Sequence, residues 1–293
     1  MEIEAFKDTH MSGIIDCLKR NYESFKDYSD KQLEEWIKPL ISYNWIDDIE
    51  VPYKYGIVLM NENQVVGYCG LIYSKYHEDG GEPLVYVNPT TWAIDEKYRL
   101  QVFKVTKEML KTADVVGDFT SRKSMEEMCT KVFKYEYLDN QTIRFLPIPK
   151  VISHMKSMVI KDIHQIHDES VKSKYLDHKK YGVKVIRFSR ENQDCYVFYK
   201  IMHLKIKGIN TKWARILDIS DNDFFAENIH GIMWKIQCTD KCLSEVDRHF
   251  IGEREFKHPL FKYSNAHRLV YELDKIKNKE KFSYLYSELA MLK

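Results

Sequence analysis

Two prolines in three residues, Pro147 and Pro149, divide this chain into halves that follow the same order of elements. Each proline lacks a backbone N–H and fixes φ, so Leu146-Pro147-Ile148-Pro149-Lys150 continues neither a helix nor a sheet interior. In the first half, apolar residues at Met11, Ile14, Ile15, Leu18, Tyr22 and Phe25 predict a helix over 9–25. Ser29 with Gln32 three residues on predicts a capped second helix, kinked or ended at Pro39. Strands follow at Tyr55–Met60 and Val65–Tyr73 across the turn Asn61-Glu62-Asn63-Gln64. A strand at Val85–Asp95, a helix at Tyr98–Ala113, a strand at Val115–Phe119 and a helix at Ser124–Val132 come next. A hairpin across Asp139-Asn140-Gln141 closes the half.

The second half repeats this order without repeating the residues. A polar helix over 161–179 precedes a strand at Val183–Phe188, and Glu191-Asn192-Gln193-Asp194 makes a turn like that of the first half. Strands at Cys195–Leu204 and Trp213–Ile219 lead to a helix capped by Asp221. His267–Leu273 reads equally as strand or helix, and Glu280–Leu292 reads as helix. A chain of 293 residues suits two domains of ordinary size, here 1–150 and 151–293, of α+β class.

Charge narrows the partners. Forty-five basic residues against 44 acidic ones leave a formal net charge of +1. A sequence-independent nucleic-acid binder or a protein of acidic membrane surfaces carries a clearer positive excess, so neither partner is expected. No apolar run approaches the ~20 residues of a membrane-crossing helix, and the acidic start of the chain lacks a signal-peptide core. Six scattered cysteines read as reduced thiols, which fits a cytoplasmic protein. Cys238 and Cys242 lack metal-ligand spacing, and His164 and His167 lack the HExxH frame, so no metal is expected.

Thr90-Thr91-Trp92-Ala93-Ile94-Asp95-Glu96-Lys97-Tyr98-Arg99 runs from a strand straight into a helix. It resembles motif A of the GNAT acyl-CoA N-acyltransferases, where a Tyr-Arg pair opens the pyrophosphate loop. The segment 114–137, ending in Lys131-Val132-Phe133-Lys134-Tyr135, resembles motif B. The resemblance covers most of residues 1–146, and 151–293 is similar to a second, degenerate copy that shapes the acceptor site. It implies two tandem GNAT-like domains, each a mixed, mostly antiparallel twisted sheet flanked by helices. It further implies acyl-CoA as co-substrate, with no permanently bound cofactor. Two-copy chains of this size resemble nucleotide-sugar N-acyltransferases of surface-polysaccharide pathways, such as those moving a hydroxybutanoyl group to a dTDP-linked amino-dideoxy sugar. A nucleotide-linked amino sugar is therefore the expected acceptor.

Carried over residue by residue, the resemblance places backbone contacts to the thioester carbonyl and pantetheine at Trp92, Ala93 and Ile94. The pyrophosphate loop falls on Arg99, Gln101, Val102, Phe103 and Lys104, and further cofactor contacts fall on Ser121 and Lys123. That loop contains no glycine, although glycine is what lets backbone N–H groups approach a diphosphate closely. Arg99 and Lys104 are expected to supply charge in its place. The acidic run Ser220-Asp221-Asn222-Asp223 competes with a phosphate at the matching turn of the second half, so acyl-CoA is expected on the first.

The tyrosine that often serves the family as general acid would fall at Met128 or Thr130, neither of which donates like a phenol. Tyr135 is the fallback acid, and a thiol of pKa about 8.5 can also leave unaided. Candidate bases are His77, Glu78 and Asp79 after the third strand and Asp118 at the end of the fifth. His203, His230 and Asp247 join them if the second half lines the acceptor site. Tyr43, Trp45, Trp213 and Trp234 are candidates for stacking on a base. Two other readings stay open: a transferase of the same fold that uses aminoacyl-tRNA, and a non-catalytic binding module.

Overall fold

The computed structural model describes residues 1–76, 82–120, 123–147, 155–206, 208–252, 254 and 261–291. The strands in chain order are β1 (Glu2–Ala5), β2 (Gly56–Asn61), β3 (Gln64–Tyr76), β4 (Leu84–Ile94), β5 (Val115–Asp118) and β6 (Glu136–Phe145). They continue with β7 (Lys156–Val159), β8 (Lys184–Arg190), β9 (Gln193–Ile206), β10 (Ile209–Ile219), β11 (Leu243–Asp247) and β12 (Phe261–Tyr271). The α-helices are α1 (Met11–Asn21), α2 (Asp30–Ile37), α3 (Val102–Leu110), α4 (Lys123–Lys131), α5 (Glu169–Lys179), α6 (Asn222–Asp240) and α7 (Glu288–Met291). The class is α+β, as expected. No helix among the described residues is long and apolar enough to cross a membrane.

The chain folds as two compact units. One comprises residues 1–136, 269–275 and 286–293, the other 137–268 and 276–285. The segment 137–146, read with the first half, ladders with β11 from Thr142↔Asp247 to Phe145↔Ser244. Conversely, Leu269–Tyr271 pairs antiparallel with β5.

In the first unit β1, β2, β3 and β4 pair antiparallel in that order, and β5 joins β4 in parallel. The β2–β3 loop is two residues long, and Glu62 adopts the left-handed conformation (φ 54°) that such a tight turn demands. α1 buries Ile14, Ile15, Cys17 and Leu18 against Val58, Val65 and Tyr68 of the sheet. α2 begins at a capping box: Ser29 Oγ accepts from the Gln32 amide, and Gln32 Oε1 accepts from the Ser29 amide at 2.8 Å. It gives way to a 3₁₀ turn, Lys38–Ile41, at Pro39.

The second unit repeats the plan. β7, β8, β9 and β10 pair antiparallel, and β11 joins β10 in parallel. Its β8–β9 loop is again two residues long, with Glu191 left-handed at φ 55°. Asp221 caps α6 through the Phe224 amide at 2.9 Å. In each unit the strand that carries the parallel pair also carries a bulge beyond it, at Thr91–Trp92 in β4 and at Leu217 in β10. In the second unit the bulge is covered by the chain itself. The Tyr284 amide donates to Leu217 O at 2.8 Å, and Tyr284 and Phe282 are buried. Tyr284 Oη and Phe282 O both meet the ring nitrogens of buried His249.

Four sequence expectations need correction. The hairpin across Asp139–Gln141 is one continuous strand, β6, because Asp139 is buried and accepts from the His249 amide instead of turning. The helix expected from Tyr98 opens as a 3₁₀ turn, Glu96–Gln101, and becomes α-helical only at Val102. The helix over 161–179 is split, with a 3₁₀ turn at Ile163–Gln165 and a fresh cap at Asp168 before α5. Among the described residues of the helix expected over Glu280–Leu292, only Glu288–Met291 is α-helical, since Phe282, Tyr284 and Leu285 are drawn into the core of the second unit.

Gly117 marks how closely β5 is packed. A Cβ there would lie 2.5 Å from Tyr86 Oη and 2.8 Å from the Phe119 ring. Gly117→Ala is expected to cost about 1–3 kcal/mol through overpacking. A thermal unfolding midpoint equal to the wild type would contradict this packing.

Candidate active site

β4 and β5 pair at only two positions, Tyr86↔Val115 and Val87↔Val116. Beyond them Asn88, fully buried, stands between the strands. Its Nδ2 donates to Gly117 O, and its Oδ1 accepts from the Glu288 amide at 2.9 Å. A side-chain amide thus replaces the next rungs of the ladder, and the strands part. On the other edge of β4 the register with β3 jumps between Gly70↔Thr90 and Tyr68↔Ala93, leaving Thr91 and Trp92 opposite Cys69. Thr91 takes a left-handed φ of 56°, a strained conformation for a β-branched residue that bulged strands near functional sites adopt. Tyr22 Oη donates to Trp92 O and ties the bulge to the end of α1.

The parted strands open into a cavity of about 790 Å³ within the first unit. One wall is β4 from Pro89 to Trp92 and Ile94, facing Asp118 and Thr120 at the end of β5. Arg99 and Val102 line it where α3 begins, and Ser124, Met125 and Met128 line it from α4. The remaining wall is aromatic, with Tyr22, Phe25 and Trp36. The rings of Phe25 and Trp36 lie 5.0 Å apart and those of Tyr22 and Phe25 5.3 Å apart, tilted pairings that favour a fixed platform.

Electrostatics at the mouth follow from one carboxylate. Asp95 holds the N-cap position of the 3₁₀ turn but makes no cap hydrogen bond. It is claimed instead by Arg20, through Nε at 3.1 Å and Nη2 at 2.9 Å, and by Asn21 Nδ2 at 2.9 Å. Arg99 is largely exposed, and its nearest carboxylate, Glu96, is 3.5 Å away and exposed as well. Exposed pairs of this kind contribute little, so Arg99 is available to an anion. The amides of Tyr98 and Val102 are used within the turn, donating to Asp95 O and Arg99 O. Side chains, not bare backbone, present the positive charge here. The Trp92 indole N–H is buried at the bulge with no hydrogen-bond partner among the described residues.

Of the residues singled out in the sequence, Trp92, Ile94, Arg99, Val102 and Asp118 line this cavity. Ala93 is buried behind Ile94 in the β3 ladder. Gln101, Phe103, Lys104 and Lys123 are not among the lining residues; Phe103 packs on Phe133, and Lys104 and Lys123 are exposed. Tyr135 is buried beside Tyr271, outside the lining, where burial pushes its phenol well above the usual range. His77, Glu78, Asp79 and Ser121 lie outside the described residues.

In the second unit, Asp247 is buried in an ion pair with Arg268 at 2.7 Å, His203 is exposed, and His230 packs on Phe145. His164 and His167 join no group of three potential metal ligands among the described residues. Tyr43 and Trp45 spend their polar atoms on backbone carbonyls of β3, and Trp213 is buried against Arg144. Trp234 lines a separate shallow hollow with Lys212 and Lys241. The lining residues that sequence reasoning missed include Tyr22, Phe25, Trp36 and Thr120. The recurrence of aromatics at 22, 25, 28 and 36 was the available signal.

Asn88→Ala removes a donor and an acceptor from a buried site and is expected to destabilise the protein by about 2 kcal/mol. Chemical denaturation would register this as a lower midpoint at unchanged slope.

No family model and no curated protein sequence matches the chain. Solved structures do. A GCN5-related N-acetyltransferase from Kribbella flavida matches 92% of this chain and 70% of its own, at a TM-score of 0.55 and 9% identity. A probable N-acyltransferase from Enterococcus faecalis V583 matches 93% of this chain and 73% of its own, at a TM-score of 0.55 and 12% identity. The bulged β4, its early departure from β5 and these matches agree: the chain has the fold of the GCN5-related N-acetyltransferases.

Proposed function

We propose that the protein is an acyl-CoA-dependent N-acyltransferase whose acceptor is an amine with a flat or apolar body. The observation that carries this reading is the parting of β4 from β5 at Asn88, which opens onto a cavity with a cation at one side and an aromatic wall at another. An acyl-CoA laid along β4 would place its diphosphate near Arg99 and its thioester at the bulge. There the irregular backbone of the bulged strand would meet the carbonyl oxygen as it gains charge. The acceptor would pack on Tyr22, Phe25 and Trp36, with its ammonium group toward Asp118. Aromatic faces and a carboxylate both favour a cation.

The nucleotide-sugar acceptor keeps one supporting observation, since the same aromatic wall suits a base. It also brings a second diphosphate, and Arg99 is the one cation among the described lining residues. We therefore place the apolar amine first. The fold likeness to N-acetyltransferases supports the reaction class without choosing between the two acceptors.

A thiol-release assay separates the readings. Acetyl-CoA and 3-hydroxybutanoyl-CoA are offered with 2-phenylethylamine, a dTDP-amino sugar and a buffer blank. Release above the blank with the phenylethylamine is the expected outcome; release with the dTDP sugar alone would transfer the proposal to the second acceptor. Absence of any CoA binding by calorimetry would end both. Arg99→Ala is expected to raise the KM for acyl-CoA about tenfold with little change for the amine, as loss of one charged hydrogen bond would. Trp36→Ala should do the reverse.

A further inference from the structure

Resting on that reading of the cavity, we infer that Glu288, close to the end of the chain in sequence, is the positioning residue that makes the Thr120 hydroxyl the proton acceptor for the incoming amine. Thr120 is exposed on the cavity wall, two residues beyond the end of β5. Its hydroxyl donates to Glu288 Oε1 at 2.9 Å. Glu288 itself is buried, at 4% exposure, and is not a lining residue. It is held from its backbone side by Asn88, whose Oδ1 accepts from the Glu288 amide. One side-chain amide therefore both parts the strands and fixes this carboxylate behind them.

The consequence is directional. A hydroxyl whose hydrogen is committed to a carboxylate turns its lone pairs elsewhere, and the open side of Thr120 is the cavity. An ammonium acceptor then finds an oxygen able to take a proton, backed by a carboxylate able to relay it. A proton passes from the acceptor nitrogen to Thr120 Oγ1 as the Thr120 proton passes to Glu288 Oε1. The freed lone pair forms the C–N bond with the thioester carbonyl carbon. The C–S bond breaks, its electron pair leaves on sulfur, and the second proton of the former ammonium goes to that thiolate. The proton on Glu288 returns through Thr120 to water once the amide and the thiol depart.

Two ionisable groups on the neighbouring strands bear on this site. Tyr86 on β4 feels the charge of Glu288, and Asp118 on β5 acts on that same phenol. Burial and both carboxylates keep the Tyr86 proton in place, so the phenol is not the group that titrates here. Asp118 shares the lining with Thr120 and draws the ammonium group in, while the hydroxyl takes the proton.

The test measures turnover of acetyl-CoA with 2-phenylethylamine, or with the dTDP-amino sugar should that be the acceptor, at pH 7 and pH 9.5. Glu288→Gln keeps the shape and the hydrogen bond but not the base. It should lose on the order of 100-fold in kcat at pH 7, the usual scale of general-base assistance. The deficit should shrink to under about fivefold at pH 9.5, where solvent supplies much of the free amine. Thr120→Val should show the same two numbers, and the double variant should be no slower than either single one, as members of one relay behave.

A rate within twofold of the wild type at pH 7 for either variant overturns the inference. So does an equal loss at both pH values, which marks a structural role. Calorimetry with acetyl-CoA reports whether Glu288→Gln keeps its fold; if it does not, the exposed Thr120→Val decides the matter on the same criteria. A wild-type protein that binds CoA and acylates nothing refutes the transferase reading itself, and this relay with it.

Discussion

Asn88 stands where a ladder between β4 and β5 would otherwise continue, and the cavity of the first unit follows from that substitution of side chain for backbone. Parallel strands hold together by evenly spaced peptide hydrogen bonds, and a buried peptide group that loses its partner must find another. A fully buried amide provides the replacement on both sides at once, to Gly117 O and from the Glu288 N–H. The parting of the strands therefore leaves these peptide groups satisfied. The bulge at Thr91–Trp92 then turns the outer part of β4 toward the opened space, and Tyr22 and the Arg20–Asp95 pair lock α1 against it.

The same logic explains why a loop without glycine is compatible with this fold. In a loop of bare backbone, N–H groups approach an anion directly. Here the residues from Glu96 to Gln101 wind into a 3₁₀ turn that uses its own amides. The positive character passes to the Arg99 side chain, and Asp95 is diverted to Arg20 so that it does not neutralise the turn. A long guanidinium on an exposed turn would meet an anion with less rigidity than a nest of amides.

Much of this architecture is legible in the sequence, and the reasons for the rest are specific. Alternating and helical periodicities, the Ser29 and Asp221 caps and the paired Glu-Asn turns locate most elements, because each depends on neighbours within four residues. The repeated order of elements gave away the fold for the same reason. What failed were features decided at long range. Asp139-Asn140-Gln141 has the composition of a turn, but the His249 amide 110 residues later claims the Asp139 carboxylate and keeps the strand straight. The segment beyond Glu280 has helical spacing, but Phe282 and Tyr284 are needed in the core of the second unit. In the site, Trp92, Ile94, Arg99 and Val102, which the motif-like text singles out, line the cavity, while Thr120 and Glu288 meet across 168 residues with no local signature.

The segment that closes over Leu217 in the second unit gives the two copies different futures. A peptide that belongs to the same chain as its docking place is present at an effective concentration no dissolved molecule readily matches. Any diffusible carrier seeking the bulge of β10 must first displace Tyr284 from its backbone bond and from the buried His249 ring. Substitutions on that side, such as the carboxylates that open α6, escape the constraint a phosphate would impose. The two units thus share one plan of strands but differ at the bulge, which opens onto a cavity in the first and is covered by Tyr284 in the second.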